Sequence, residues 1–185
     1  MTKTIVWGAL IALFAPAALA VPPPDDAQAM AGAVTAFYTV HHGTDQDGIP
    51  DAKTRAKYAP YVSPKLLKEL TDGDAAEDIY AKANKDSPPL VEGDLFSPNF
   101  EGVTSFKLGA CDPEKGTCAL KGHYQTAHPR PQDKPVDWTD TVYLVKTAQG
   151  WRVDDIAFGG TWDFGNHGRL SQVLKYAVGE AHGAP

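Results

Sequence analysis

The densest run of hard oxygen donors in the chain is Asp45-Gln46-Asp47-Gly48-Ile49-Pro50-Asp51. It looks like the middle of a calcium loop, with Asp45, Asp47 and Asp51 offering carboxylates, Gly48 at the sharp turn and Ile49 able to offer a carbonyl. Aligned on Gly48, the first ligand position is Gly43 and the twelfth is Thr54, so the opening Asp and the bidentate Glu of such a loop are both missing. The expectation is a solvated turn in which Asp and Gly serve backbone geometry, with Asp45, Asp47 and Asp51 as weak metal candidates. Histidines are the second source of chemistry: His41 and His42 adjoin, and His123, His128 and His167 are scattered. Neighbours on a helix point apart, so His41 and His42 make a poor chelate, and a zinc site would need a third ligand from a distant strand. A cationic histidine near a helix C-terminus is favoured by the macrodipole, which accounts for the pair without a metal. No cofactor is expected.

Cys111-Asp-Pro-Glu-Lys-Gly-Thr-Cys118 is a turn-rich octapeptide between two β-like runs. Its spacing matches neither a redox C-x-x-C nor a zinc knuckle, and no second cysteine pair exists to complete four ligands. A disulfide across a hairpin is expected, contributing roughly 2 to 3 kcal/mol by the loop-closure argument. That requires an oxidising compartment, and the N-terminus points to one. Lys3, the apolar stretch Ile5 to Phe14 and Ala18-Leu19-Ala20 read as a signal peptide over 1–20. Pro16 and the Pro22-Pro23-Pro24 run leave too short an apolar stretch for a retained anchor. No cysteine follows the small residues, so a lipid anchor is not expected. A Pro-rich leader over 21–25 and one domain over 26–183 complete the organisation, with a periplasmic or secreted location.

The elements that must position these residues come in two blocks. Asp25 or Asp26 caps a helix running through about His41, with Ala29, Ala33, Phe37 and Val40 or Met30, Val34, Phe37 and His41 at three- and four-residue steps. Gly43 to Pro50 reads as a loop. Ser63-Pro64 then supplies a cap and first-turn proline for a second helix carrying Leu66, Leu67 and Leu70, and a third covers about Asp74 to Asn84. From Gly102 onward the pattern is β, with strands predicted at 103–110, 118–127, 138–147 and 151–158. Their succession predicts an antiparallel meander, closed by a helix over about 168–180 with Leu170, Val173, Leu174 and Ala177 on one stripe. Helices first and sheet second is the order of an α+β fold. In the last strand Trp151 and Val153 share one parity and Ile156 and Phe158 the other, with Asp154-Asp155 at the change. Either both faces are covered or a β-bulge resets the phase, the aspartates capping turns or pairing with Arg152.

Phe37-Tyr38, Tyr61-Val62-Ser63-Pro64-Lys65-Leu66-Leu67, Asp94-Leu95-Phe96-Ser97, Val142-Tyr143-Leu144-Val145-Lys146, Gly150-Trp151-Arg152-Val153-Asp154-Asp155-Ile156 and the closing helix together resemble a family of exported bacterial domains of unknown function. That family resembles the nuclear-transport-factor-like cone fold shared with ketosteroid isomerase and scytalone dehydratase. The similarity spans about residues 28–178 and implies helices wrapped by a curved four-stranded antiparallel sheet, a cystatin-like roll with a cavity between them. Some exported relatives are lipid-anchored, and this chain lacks the anchor cysteine. The fold likeness suggests a cavity where a carboxylate or histidine moves a proton while tyrosines stabilise an oxyanion, for which the chain offers Asp140, Asp154 or Asp155 with His123, Tyr124 and Tyr143. The family brings no catalytic residues to transfer, and fold does not license activity.

A formal charge of −6, from 17 Lys+Arg and 23 Asp+Glu, argues against nucleic-acid binding, because no basic run exists to displace phosphate counterions. The reading adopted is an exported, non-enzymatic binding domain engaging a protein partner or a small apolar ligand at its sheet cavity, with His123, Tyr124, Tyr143, Asp154 and Asp155 as candidate contacts. The alternatives are an isomerase, dehydratase or hydrolase using that inventory, and an immunity or inhibitor protein steered toward a basic partner.

Overall fold

A computed structural model describes residues 25–44 and 47–183. The elements are α1 (Asp26–His42), α2 (Ala52–Tyr58), α3 (Pro64–Ala83), β1 (Ser105–Asp112), β2 (Thr117–Tyr124), β3 (Val136–Thr147), β4 (Gly150–Ala157) and α4 (Leu170–Ala181). The four strands form one antiparallel sheet in the order β1-β2-β3-β4, giving an α+β fold with three helices before the sheet and one after it. The signal-peptide reading over 1–20, nearly all of the Pro-rich leader and the Asp45 metal candidate lie outside the described residues.

Each N-terminal helix starts where a short polar side chain meets an otherwise orphaned N–H group. Asp25 accepts from the Gln28 N–H at 2.7 Å, and Ser63 Oγ accepts from the Leu66 N–H at 3.0 Å ahead of Pro64. One inner face of α1 carries Met30, Val34, Phe37, Tyr38 and His41, all buried, and it lies across β1, β2 and β4. Leu120, Val142, Val153 and Ile156 meet that face from the sheet. Leu66 and Leu70 of α3 join the core, α3 packing along α4 through Leu174. Removing a buried aromatic from such a core costs about 3 to 5 kcal/mol, which places Phe37 among the residues the fold can least lose.

Two helical expectations are corrected. The chain after Pro50 forms α2, capped by Asp51, whose side chain accepts from the Thr54 N–H at 2.7 Å. The second and third helices are one, α3, continuous through Gly73. A glycine there costs helix propensity, but a Cβ at Gly73 would lie 3.1 Å from Leu174 and 3.3 Å from Ile49, so the small residue permits close packing of α4 on α3.

The strands fall close to their predicted spans, and the parity break is a bulge. Tyr143 pairs with Asp155 and Leu144 with Val153, leaving Asp154 as the extra residue. Cys111 and Cys118 face each other across β1 and β2 and form a disulfide. Trp151 packs on the rim of the core rather than inside it, its indole N–H donating to Asp26 Oδ1 at 3.0 Å and Lys146 Nζ lying over its ring. Among the described residues no helix is long and apolar enough to cross a membrane.

Candidate functional site

The calcium-like loop is held by backbone donors. Asp47 Oδ1 accepts from the Gly93 N–H at 2.9 Å, Gly48 takes a positive φ of 69° while its N–H donates to the Gly93 carbonyl, and Asp51 is the α2 cap. Asp47 and Asp51 thus serve backbone geometry. Among the described residues no three His, Cys, Asp or Glu side chains converge as metal ligands.

The five predicted contact residues fall into three separate places. Asp154 accepts from Ser63 Oγ and lies 3.7 Å from Lys65 Nζ, tying the bulge to the start of α3. Asp155 is buried and accepts from its neighbour Ile156 N–H, from the Ser171 N–H and Oγ, and from Arg169 Nη1 at 3.2 Å. Tyr143 is brought to this second cluster, its ring under the Arg169 guanidinium at 4.1 Å. Together they anchor the start of α4. His123 and Tyr124 end β2 at the opposite end of the sheet from Tyr143, where His123 Nδ1 pairs with Asp137 at 2.8 Å across the β3 register and Tyr124 lines a surface cleft.

A buried polar cluster gathers residues that the sequence reading left apart. His41 Nε2 lies 2.9 Å from Asp94 Oδ2, and its Nδ1 lies 3.0 Å from the Tyr58 hydroxyl, which lies 2.8 Å from Thr44 Oγ1. Assigning the ring proton to Nε2, which faces the carboxylate, leaves Nδ1 to accept the Tyr58 O–H. The Phe96 N–H fills Asp94 Oδ1 at 2.8 Å, and Phe37, Tyr38, Tyr58 and Phe96 surround the imidazole. Burial pushes the Tyr58 phenol up to about 12, so it remains an O–H donor. Nearby, Asp140 accepts from Trp138 Nε1 at 2.8 Å and from the Gly159 N–H at 2.9 Å. Both bonds favour its charged form, yet burial, with help from the charge on Asp94, outweighs them and pushes the carboxyl up to about 6. Tyr38 completes the group. The residue is 1% exposed, its hydroxyl has no hydrogen-bond partner among the described residues, and burial and then the charges of Asp140 and Asp94 hold its phenol well above the usual range.

Beyond Trp138, which bonds Asp140, large apolar side chains share an open cleft. Residues 159–168 form a strap from β4 to α4, held by the Gly159 bond to Asp140, by Phe158 N–H to the Gly168 carbonyl, and by Asn166 Nδ2 to the carbonyls of Asp94 and Ser97 at 2.8 and 2.9 Å. Trp162 of this strap meets Trp138 edge to face at 5.3 Å. Around Trp162, Phe100, Phe164 and Gly165 line a depression of about 530 Å³, which adjoins a second of about 430 Å³ between Tyr124, Glu101 and Lys134. Phe164 is 88% exposed and Phe100 44% exposed. Of these residues only Tyr124 was singled out beforehand. Phe37-Tyr38 and Asp94-Leu95-Phe96-Ser97 stood out as strings, but nothing in them signalled that Tyr38 and Asp94 would meet.

No family model matches the chain, and no curated protein matches it in sequence.

Proposed function

We propose that this protein is an exported binding domain that docks an apolar segment of a partner protein in the cleft over Trp162. The observation that carries the reading is the pair Phe164 and Phe100, left exposed on either side of the half-buried Trp162 in one concave surface. Aromatic anchors of this kind dominate protein interfaces, and a side chain that projects as far as Phe164 suits a partner's surface better than an enclosed small molecule. Glu101 and Asp163 follow and precede the two phenylalanines and the chain is acidic overall, so the matching segment carries Lys or Arg beside its apolar side chains. The disulfide and the N-terminal signal pattern support a periplasmic or secreted setting. The helix-before-sheet order supports kinship with the cone-fold family; here α1 packs across the inner face of the sheet, and the cleft proposed for binding lies at the strap instead.

The test is nuclear magnetic resonance with short peptides carrying leucine and phenylalanine between lysines or between glutamates. The lysine peptide should shift the Trp162, Phe164 and Phe100 signals, and the glutamate peptide should not. Shifts confined to other surfaces would overturn the reading, and saturable binding of the neutral dye Nile red without any peptide effect would replace it with a small apolar ligand.

A second reading, acid–base catalysis, is favoured by one observation: Asp140 has a carboxyl near 6 beside Tyr38, Asp94 and His41. The Asp140 carboxyl is bonded by Trp138, whose ring Trp162 meets edge to face, so catalysis at Asp140 requires the strap to lift. Turnover of an isomerase, dehydratase or ester substrate, abolished by Asp140→Asn with folding intact, would favour this reading over docking.

A further inference from the structure

Tyr38 presents the sharpest mismatch between chemistry and surroundings in the molecule. A phenylalanine would fill the same space on the inner face of α1, where the ring already meets Phe37, His41 and Phe106. The hydroxyl therefore needs its own explanation, because buried tyrosine O–H groups almost always find a partner. It has none among the described residues. Two acceptors are near enough for their charges to act on it, Asp140 and Asp94, yet neither is in hydrogen-bonding reach. Each oxygen of both carboxylates already takes one donor: Trp138 and Gly159 at Asp140, Phe96 and His41 at Asp94. Each also keeps a second lone pair.

We propose that the Tyr38 hydroxyl and the Asp140 and Asp94 carboxylates form an interior site for one small neutral hydroxyl, water or a short alcohol, that accepts from Tyr38 and donates to a carboxylate. The chemistry of the surroundings selects that guest. An anion would face two carboxylates, a metal cation could not accept the phenol proton, and an apolar molecule would leave the O–H unmet. A neutral O–H group does both jobs with one oxygen, and it is the usual bridge between buried polar atoms too far apart to bond directly. Occupied by water, whose two protons can reach both carboxylates, the site would join the Thr44-Tyr58-His41-Asp94 chain to the Asp140-Trp138-Gly159 chain in one hydrogen-bonded path from the end of α1 to the root of the strap. Trp138, which bonds Asp140, meets Trp162 of the cleft edge to face, so a guest exchanging with solvent from that side would pass these rings. The inference does not depend on what the cleft binds.

High-resolution crystals of the wild-type protein and of Tyr38→Phe test it. A single peak within hydrogen-bonding distance of both Tyr38 Oη and a carboxylate oxygen of Asp140 or Asp94 is expected in the wild type and should vanish in Tyr38→Phe. Oxygen-17 water relaxation in solution should count one fewer long-lived internal water in the variant. Crystals soaked in ethanol separate the two guests: two-carbon density marks a site open to alcohols, and an unchanged single peak marks one reserved for water, either supporting the proposal. A direct bond from Tyr38 Oη to Asp140 or Asp94, no peak at all, or a peak that survives Tyr38→Phe would overturn it.

Discussion

Asp140 makes folding depend on pH in a direction opposite to that of most carboxylates. Its folded-state value of about 6 stands above the ordinary 3.8, so between those values the native protein holds a proton that the unfolded chain has released. Stability therefore falls as pH rises through this window and is recovered on acidification. A difference of 2.2 between about 6 and 3.8 corresponds to about 3 kcal/mol over the whole window, and to about 2 kcal/mol between about pH 7.5 and about pH 4.5. The carboxylates held below their ordinary range by hydrogen bonds, Asp26, Asp51, Asp112 and Asp133, act only below that window, where acid removes what they contribute. Asp140→Asn isolates the effect, because every other titration is shared with the wild type. Its amide can accept only one of the two N–H groups from Trp138 and Gly159, a loss of about 1 to 3 kcal/mol at every pH. Urea unfolding of both proteins at several pH values should show a wild-type advantage that is about 2 kcal/mol larger at about pH 4.5 than at about pH 7.5. Parallel curves for the two proteins would refute the reasoning, since burial would then not control the Asp140 carboxyl.

Three further perturbations probe the scaffold, the first of them at the cleft. Gly165→Ala would put a Cβ 1.7 Å from the Pro98 carbonyl oxygen, so its urea midpoint should drop by an amount corresponding to about 1 to 3 kcal/mol. Replacing Cys111 and Cys118 together by Ser should lower stability by about 2 to 3 kcal/mol, read by thermal melting of oxidised protein. Trp151→Ala should cost about 2 kcal/mol, less than a fully buried tryptophan, because the ring covers the rim of the core and bonds Asp26; a loss of twice that would put it inside.

Much of the scaffold was legible because local signals and tertiary structure agreed. Asp25 and Ser63-Pro64 announced two helix starts, turn residues separated four β-rich runs, and the parity break at Asp154-Asp155 is the bulge. Short-range signals failed where one residue type serves two purposes. Asp51 reads equally well as an oxygen ligand and as a helix cap, and the cap reading would have revealed α2. Gly73 reads as a helix break until Leu174 and Ile49 are seen pressing on it. The buried cluster was hidden for a deeper reason. Asp94 and His41 are 53 residues apart, and a lone Asp in a sequence suggests solvent. Only their mutual pairing makes burial tolerable, and that pairing exists in three dimensions alone. Tyr143, Asp154 and Asp155 carried the opposite ambiguity: grouped by strand adjacency, they divide between the starts of α3 and α4 once the bulge turns Asp154 away from Asp155.

The proposed docking role accounts for the exposure of Phe100 and Phe164. Ile79, Val145 and Tyr176 are also exposed, but each lies on a helix or strand facing outward, the ordinary scatter of apolar residues on a surface. Phe164 stands on an irregular strap that any polar residue could occupy, and that strap is pinned closely. A Cβ at Gly159 would strike the Thr139 carbonyl at 1.9 Å and one at Gly160 the Trp162 ring at 2.0 Å, while Asn166 ties the far side to the Asp94 and Ser97 carbonyls. A segment that served only to connect β4 to α4 would need none of this. In the proposed docking, the pinned backbone of the strap would lose little further freedom under a partner, which removes part of the entropic cost that limits binding by loose loops. The buried polar groups fit the same logic: Asp140 fixes the strap at Gly159, and Asp94 fixes the turn that carries Phe100 through its backbone N–H bond to the Phe100 carbonyl at 3.0 Å. Asp140 through its carboxylate and Asp94 through its backbone N–H therefore each hold one of the two segments whose phenylalanines face solvent.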